Sequence, residues 1–247
     1  MDSPAQIPLT REVRIPCCDA WLGGDLALPP DFCGLVLFAH SSGNGRFSPR
    51  NRQIAQKLQR AGIATLLFDL LTAQEEEVDF YTREHRFDMA LLTQRMHDAT
   101  DWVAAQAGLQ HAPIGYFGAS TGSAAALIAA ARLADRVAAV VSRGGRPDLA
   151  GPETLAAVKA PTLLIVGRAD HGVIDLNGQA YEHLRCHRRL AIVAGATHRL
   201  VQRDALEQVS ELAASWFTTH LPKRKANGNG NGKDRAPDEL TQHPGHA

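Results

Sequence analysis

Two kinds of hydrophobic pattern alternate along most of this chain. Short, nearly continuous apolar runs occur at Leu35–Ala39, Ile63–Phe68, Pro113–Phe117, Val137–Val141, Thr162–Val166 and Leu190–Val193. Runs of this length suit strands covered on both faces. Between them, apolar positions recur every three or four residues, the spacing of a helix with one buried face. Arg50–Ala61 places Ile54, Leu58 and Ala61 together and ends at Gly62; a later stripe of Leu92, Met96, Ala99 and Val103 stops at Gly108. Thr121–Leu133 is an alanine-rich helix, a shorter one lies near Asn177–Leu184, and Asp204–Leu221 turns Leu206, Val209, Leu212 and Trp216 inward. At the start, Glu12–Pro16 and Trp21–Leu28 read as a hairpin joined at Cys18-Asp19. The acidic stretch from Glu75 to Arg86 reads as an exposed excursion near the rim, and Ser142–Asp148 as a polar loop. Repeated strand–helix–strand units predict an α/β fold, a mostly parallel sheet with helices on both faces.

Composition sets the limits of that picture. A chain of 247 residues accommodates one sizeable domain, placed at 11–221 behind an N-terminal arm, 1–10. After Leu221 comes Pro222-Lys223-Arg224-Lys225 and an Asn-Gly repeat, too poor in apolar residues to order itself, so 222–247 is expected to be a disordered tail. Lys plus Arg and Asp plus Glu both number 26, which creates no overall field for nucleic acid or an anionic membrane. Neither a signal-like start nor an apolar run of about 20 residues is visible, so the expectation is a cytoplasmic protein without a membrane partner. The four cysteines, Cys17, Cys18, Cys33 and Cys186, form no C-x-x-C pair and are read as reduced structural thiols. Oligomeric state stays open.

Chemistry enters with Gly118-Ala119-Ser120-Thr121-Gly122, a G-x-S-x-G segment between a strand and a helix. In that setting the serine sits on a tight turn above the sheet, and the following helix directs N–H groups at a developing oxyanion. A serine hydroxyl needs a base, and this arrangement expects an acid and then a histidine after later strands. Asp170 follows Thr162–Val166 and His198 follows Leu190–Val193, so Ser120, Asp170 and His198 are the candidate catalytic residues. His171, beside the acid, ranks below His198 as base. The candidate oxyanion donors are the backbone N–H groups of Ser42, in the loop after the first parallel strand, and Thr121. His40, Ser41 and Arg143 are candidate substrate contacts; Arg143, Arg146 and Arg168 are placed in loops where they would either attract an anionic substrate or form surface salt bridges.

Over roughly Arg11 to Leu221 the chain resembles the dienelactone hydrolase group of α/β-hydrolases. The resemblance rests on Leu37–Gly43, Leu67–Leu71, the Ser120 pentapeptide, Ser142-Arg143-Gly144-Gly145 and the Asp170 and His198 segments. It implies an α/β-hydrolase fold with an eight-stranded sheet whose second strand is antiparallel, the triad named above, no metal and no organic cofactor. The namesake enzymes carry cysteine where this chain has Ser120, and no residues match a dienelactone carboxylate site. Relatives of this subtype are similar to domains fused to a phosphoribosyltransferase, for which this length leaves no room. The implied activity is hydrolysis of a small ester, lactone or thioester through an acyl-enzyme. With no long apolar insertion between Val141 and Pro161 to act as a lid, an open site is expected.

Two other readings stay on the table. Gly43-Asn44-Gly45-Arg46-Phe47-Ser48, with Asp69 ending the next strand, has the outline of a dinucleotide-binding oxidoreductase domain. A catalytically silent α/β-hydrolase acting as a binding module is the other. Otherwise Asp69 reads as a strand-end hydrogen-bond residue. His183 and His187, four apart, would share a helix face, but no H-E-x-x-H pattern supports a metal there and solvent-facing histidines are expected.

Overall fold

Strands β3 (Leu35–His40), β4 (Ala64–Phe68), β5 (Ile114–Ala119), β6 (Val137–Arg143), β7 (Thr162–Gly167) and β8 (Arg188–Val193) pair in parallel across the centre of one sheet. A hairpin of β1 (Leu9–Pro16) and β2 (Trp21–Leu28) adds to the β4 edge, with β2 antiparallel to both neighbours. The order is β1-β2-β4-β3-β5-β6-β7-β8, the eight-stranded α/β-hydrolase arrangement with its antiparallel second strand. The computed structural model describes residues 8–18, 20–40, 45–194 and 203–221. The expected 222–247 tail therefore lies outside the described residues, while Leu9 and Thr10, assigned to the arm, pair with Leu28 and Ala27 in β1.

Alternation along the strands sorts the core into two layers. Leu35, Leu37, Tyr116, Val140 and Leu164 face α3 (Met89–Ala105) and α4 (Thr121–Arg132). Val36, Phe38, Phe117, Val141 and Ile165 face α1 (Pro49–Arg60) and α7 (Arg203–His220). The stripe of Leu92, Met96, Ala99 and Val103 is buried in α3, as its period requires. α4 is buried from Thr121 to Ala130, and its alanines let it lie close on the sheet. α5 (Pro152–Ala157) and α6 (His171–His183) complete the described helices of the later half; α6 begins six residues before the expected Asn177 start.

The acidic stretch after β4, read as an exposed excursion near the rim, is helical. It folds as α2 (Ala73–Thr82) followed by a 3-10 turn, His85–Phe87. Thr72 and Glu75 form a reciprocal capping box: the Thr72 hydroxyl accepts from Glu75 N at 3.2 Å and Glu75 Oε2 accepts from Thr72 N at 2.7 Å. The same Glu75 carboxylate receives both terminal nitrogens of buried Arg95, at 2.6 and 2.7 Å. Buried Asp79 accepts from Arg86 N at 2.8 Å and Arg86 Nε at 2.7 Å. Acidic residues that read as solvated are thus used inward, whereas Val78, Phe80, Tyr81 and Phe87 are exposed.

Candidate active site

Ser120 stands between β5 and α4 with φ 53° and ψ −129°, a left-handed conformation uncommon for a residue with a side chain. Close packing imposes it. A Cβ on Gly118 would lie 2.5 Å from Ser123 Cα, and one on Gly122 would run into the Ala39 carbonyl of β3. Both glycines therefore serve close approach, the reason the pentapeptide needs them. The Ser120 carbonyl accepts from Ser123 N at 3.1 Å and from Arg146 N at 3.0 Å, which holds the turn on both sides. The Ser120 side chain makes no capping bond to α4, so Thr121 N–H opens a 12-residue helix whose positive end lies at the serine.

Asp170 lies three residues beyond Gly167, the end of β7. β6 separates β5 from β7, so the acid leaves the sheet two strand spacings from the serine, about 9.6 Å. Its backbone caps the first turn of α6: Asp170 N donates to Gly167 O at 3.1 Å and Ile174 N donates to Asp170 O at 2.9 Å. Its half-buried carboxylate makes no capping bond to that helix. Gly167 is in register with Val193, and Arg168 N donates to Val193 O at 2.9 Å, so β8 ends level with β7. His198 lies outside the described residues, between this strand end and α7, as do Ser41 and Ser42, between His40 and Gly45. His171, the lesser candidate base, is exposed at the first position of α6.

One register row crosses the sheet just below the serine: His40, Ala119, Arg143 and Ile165. His40 is buried there, 4% exposed, at the end of β3. Arg143 corrects its loop assignment. It is the last residue of β6, paired across Ala119, and only 9% exposed. Strand pairing simply continues through Ser142 and Arg143, whose polarity had suggested a turn. Among the described residues no carboxylate pairs with Arg143; Nη2 reaches Asn51 Oδ1 at 3.5 Å and the buried Nε has no hydrogen-bond partner. Burial, with Arg50 nearby, pulls its pKa down to about 10. The other two arginines differ: Arg146 is paired with Asp148 at 2.7 Å, and Arg168 is exposed.

Asp69, just past β4, is a strand-end hydrogen-bond residue as expected, but its partners were not visible in the sequence. Arg46 N donates to Asp69 Oδ1 at 2.8 Å and Arg46 Nε stands 3.2 Å from Asp69 Oδ2. The same guanidinium meets Asp25 of β2 at 3.1 Å and Glu12 of β1 at 2.8 Å. Burial raises the Asp69 pKa, against the opposing effect of Arg46. These contacts weigh against a dinucleotide site. The acid that would hold a ribose has both oxygens occupied, and a Cβ on Gly45 would collide with one of them.

No cluster of three or more His, Cys, Asp or Glu side chains suited to a metal occurs among the described residues. His183 ends α6 and His187 lies beyond it, so the two share no helix face; exposed His187 stacks on Trp216 with ring centroids 5.4 Å apart. Among the described residues no helix is long and apolar enough to cross a membrane. Cys17, Cys18, Cys33 and Cys186 form no disulfide among the described residues.

Residues 33–217 match the family model described as an alpha/beta hydrolase domain. A solved dienelactone hydrolase from Anabaena variabilis is 51% identical, with a TM-score of 0.84 over 87% of this chain and 100% of that one. Two curated relatives from Mycobacterium tuberculosis strains, both called putative phosphoribosyl transferase, are 48% identical over 222 residues, or 90% of this chain and 49% of theirs. The chain therefore spans about half the length of the curated relatives it matches. Est1E from Butyrivibrio proteoclasticus, at 16% identity and a TM-score of 0.72 over 84% of this chain and 98% of that one, shares the fold.

Proposed function

The chain belongs to the dienelactone hydrolase-like group of the α/β-hydrolase family, and from that premise we propose that it is a serine hydrolase cleaving a small ester, lactone or thioester. The observation that carries this reading is the strained turn of Ser120 at the head of α4, which its own side chain does not cap. Strain of this kind costs about 1–3 kcal/mol and persists where the surroundings enforce it, as Gly118 and Gly122 allow here. In the proposed reaction Ser120 Oγ attacks the substrate carbonyl carbon while His198 takes the hydroxyl proton. The tetrahedral oxyanion is held by the N–H groups of Thr121 and Ser42. Its collapse breaks the bond to the leaving group, which receives the proton from His198 and leaves an acyl-enzyme on Ser120. Water, deprotonated by His198, then attacks the acyl carbon and releases the acid. Asp170 orients the imidazole and stabilises its charged form.

His40, Ser41 and Arg143 are assigned to substrate contact. Arg143 adds a second element to the reading, because a desolvated guanidinium without a paired carboxylate among the described residues favours a substrate bearing a negative charge. The name carried by the mycobacterial relatives describes proteins about twice as long as the matched span, and phosphoribosyl transfer is not part of the proposal. Substituting Asp170→Asn and His198→Ala in turn, with p-nitrophenyl acetate as substrate, tests the triad. The histidine variant should lose kcat by about three orders of magnitude or more and the acid variant by less. Full activity in His198→Ala would assign the base elsewhere, His171 first.

A further inference from the structure

The peptide between Gly145 and Arg146 lies just past β6, and both of its polar ends are hydrogen-bonded. Arg146 N donates to the Ser120 carbonyl at 3.0 Å, and the Gly145 carbonyl accepts from Asn177 Nδ2 at 3.1 Å. A trans peptide points its N–H and its C=O in opposite directions, so the two bonds run end to end. The next unit continues the line. The Ser120 carbonyl and the Thr121 N–H belong to one peptide, and that N–H opens α4 beside the nucleophile. The run is therefore the Asn177 amide, the Gly145–Arg146 peptide and the Ser120–Thr121 peptide, and it ends at a proposed oxyanion donor.

Asn177 is fully buried in the second turn of α6. Both hydrogens of its amide nitrogen are used, because Nδ2 also donates to the Val173 carbonyl at 2.8 Å. Two carbonyls facing the same end of the side chain fix that end as the nitrogen. The other end, Oδ1, is buried with no hydrogen-bond partner among the described residues. A side chain kept for packing alone would not bring an unsatisfied oxygen into the core. The peptide it holds has no side chain of its own to steady it. A Cβ on Gly145 would run into the hydroxyls of Ser123 and Ser142, and the Arg146 guanidinium turns away to Asp148. We propose that Asn177 is a positioning residue of the hydrolase, which aligns and polarises the Thr121 N–H through the Gly145–Arg146 peptide. The inference rests on the reading of Ser120 as nucleophile and Thr121 N–H as oxyanion donor. Hydrogen bonds aligned in a buried chain strengthen one another. An oxyanion donor acts on the transition state more than on bound substrate. Loss of the Asn177 donor therefore lowers kcat and leaves KM nearly unchanged. The effect is partial, because the Ser120 carbonyl keeps its second donor, Ser123 N at 3.1 Å.

The test compares wild type, Asn177→Leu and Asn177→Asp on p-nitrophenyl acetate, each checked by circular dichroism and thermal melting. Leucine keeps the volume without a donor, and ionised aspartate keeps the shape with acceptors only. In both variants kcat should fall about tenfold, less than for outright removal of a donor, with KM within about threefold. A trifluoromethyl ketone, whose adduct with the serine carries a tetrahedral oxyanion, should weaken by a similar factor. In a slowly hydrolysing acyl-enzyme, the infrared band of the acyl carbonyl should move to higher wavenumber in the variants, the mark of weaker donation to its oxygen. A purely structural role would lower the melting temperature while kcat per folded enzyme and the carbonyl band stay unchanged, and that result overturns the inference. A loss carried entirely by KM overturns it as well. If Asn177→Leu does not fold, Asn177→Asp decides by the same readouts; failure of both to fold would make Asn177 a structural residue and overturn the inference. In each of these cases wild-type turnover leaves the hydrolase reading standing. Absence of both turnover and fluorophosphonate labelling in folded wild type would overturn the hydrolase reading and this inference with it.

Discussion

Ser120 and Arg143 sit one strand apart, and both are held in states that a stability-optimised sequence would avoid. Ser120 has a positive φ with a Cβ present. Arg143 is a cation in a nearly dry position whose hydrogen-bond partner among the described residues, Asn51, is 3.5 Å away. Each supplies a prediction. Ser120→Gly should be inactive and yet more stable than Ser120→Ala by about 1 kcal/mol, because only glycine relaxes at that backbone geometry; equal melting curves would mean that the turn is not strained. Arg143→Met should raise the unfolding free energy by about 1 kcal/mol or more, since it removes a buried charge that no carboxylate pairs among the described residues. The same variant should lower the preference for p-nitrophenyl hydrogen succinate over p-nitrophenyl butyrate by about tenfold. An unchanged preference would remove Arg143 from the substrate site. The serine was legible because glycines two residues either side, a preceding strand and a following helix are local facts. Arg143 was misread because a polar residue at a strand end looks like a turn, and only its pairing with Ala119 of β5 and Ile165 of β7 decides otherwise.

At the scale of elements, the parallel strands and the long helices followed from apolar period alone, because burial on both faces or on one stripe leaves a direct mark on the residues. α2 left none. Its buried side is made of Glu75 and Asp79, each paired with an arginine, while several of its large apolar residues point outward. The Thr72–Glu75 spacing of a capping box was the available local signal. The pairing predicts a pH dependence. Burial works to raise the Glu75 pKa, but the Arg95 guanidinium and the Thr72 N–H outweigh it and hold it at about 2. A carboxylate depressed in the folded state stabilises fully above its unfolded pKa of about 4.3, and that contribution is lost as pH falls towards 2. Glu75→Gln, which leaves Arg95 buried beside a neutral partner, should cost about 2 kcal/mol at pH 7. Denaturant titrations should show the difference from wild type shrinking below pH 4 and closing near pH 2. A constant gap across that range would show that the charge of Glu75 does not matter.

For the whole molecule, the sheet order gathers what sequence scattered. Ser120, Asp170 and the exit towards His198 follow β5, β7 and β8, strands that pair in parallel and therefore end on one side. That convergence was inferable from the order of strands and loops, because parallel crossovers return each chain end to the same edge. The ion-pair cluster around Arg46 was not, since residues 12, 25, 46 and 69 meet through hairpin pairing and a strand crossing that no local period announces. The proposed function turns on acylation of Ser120. Folded wild-type protein incubated with a fluorophosphonate probe, digested and analysed by mass spectrometry, tests it directly. A single adduct on Ser120 is expected, absent in Ser120→Ala together with p-nitrophenyl acetate turnover. An adduct on another residue, or full turnover by Ser120→Ala, would contradict it.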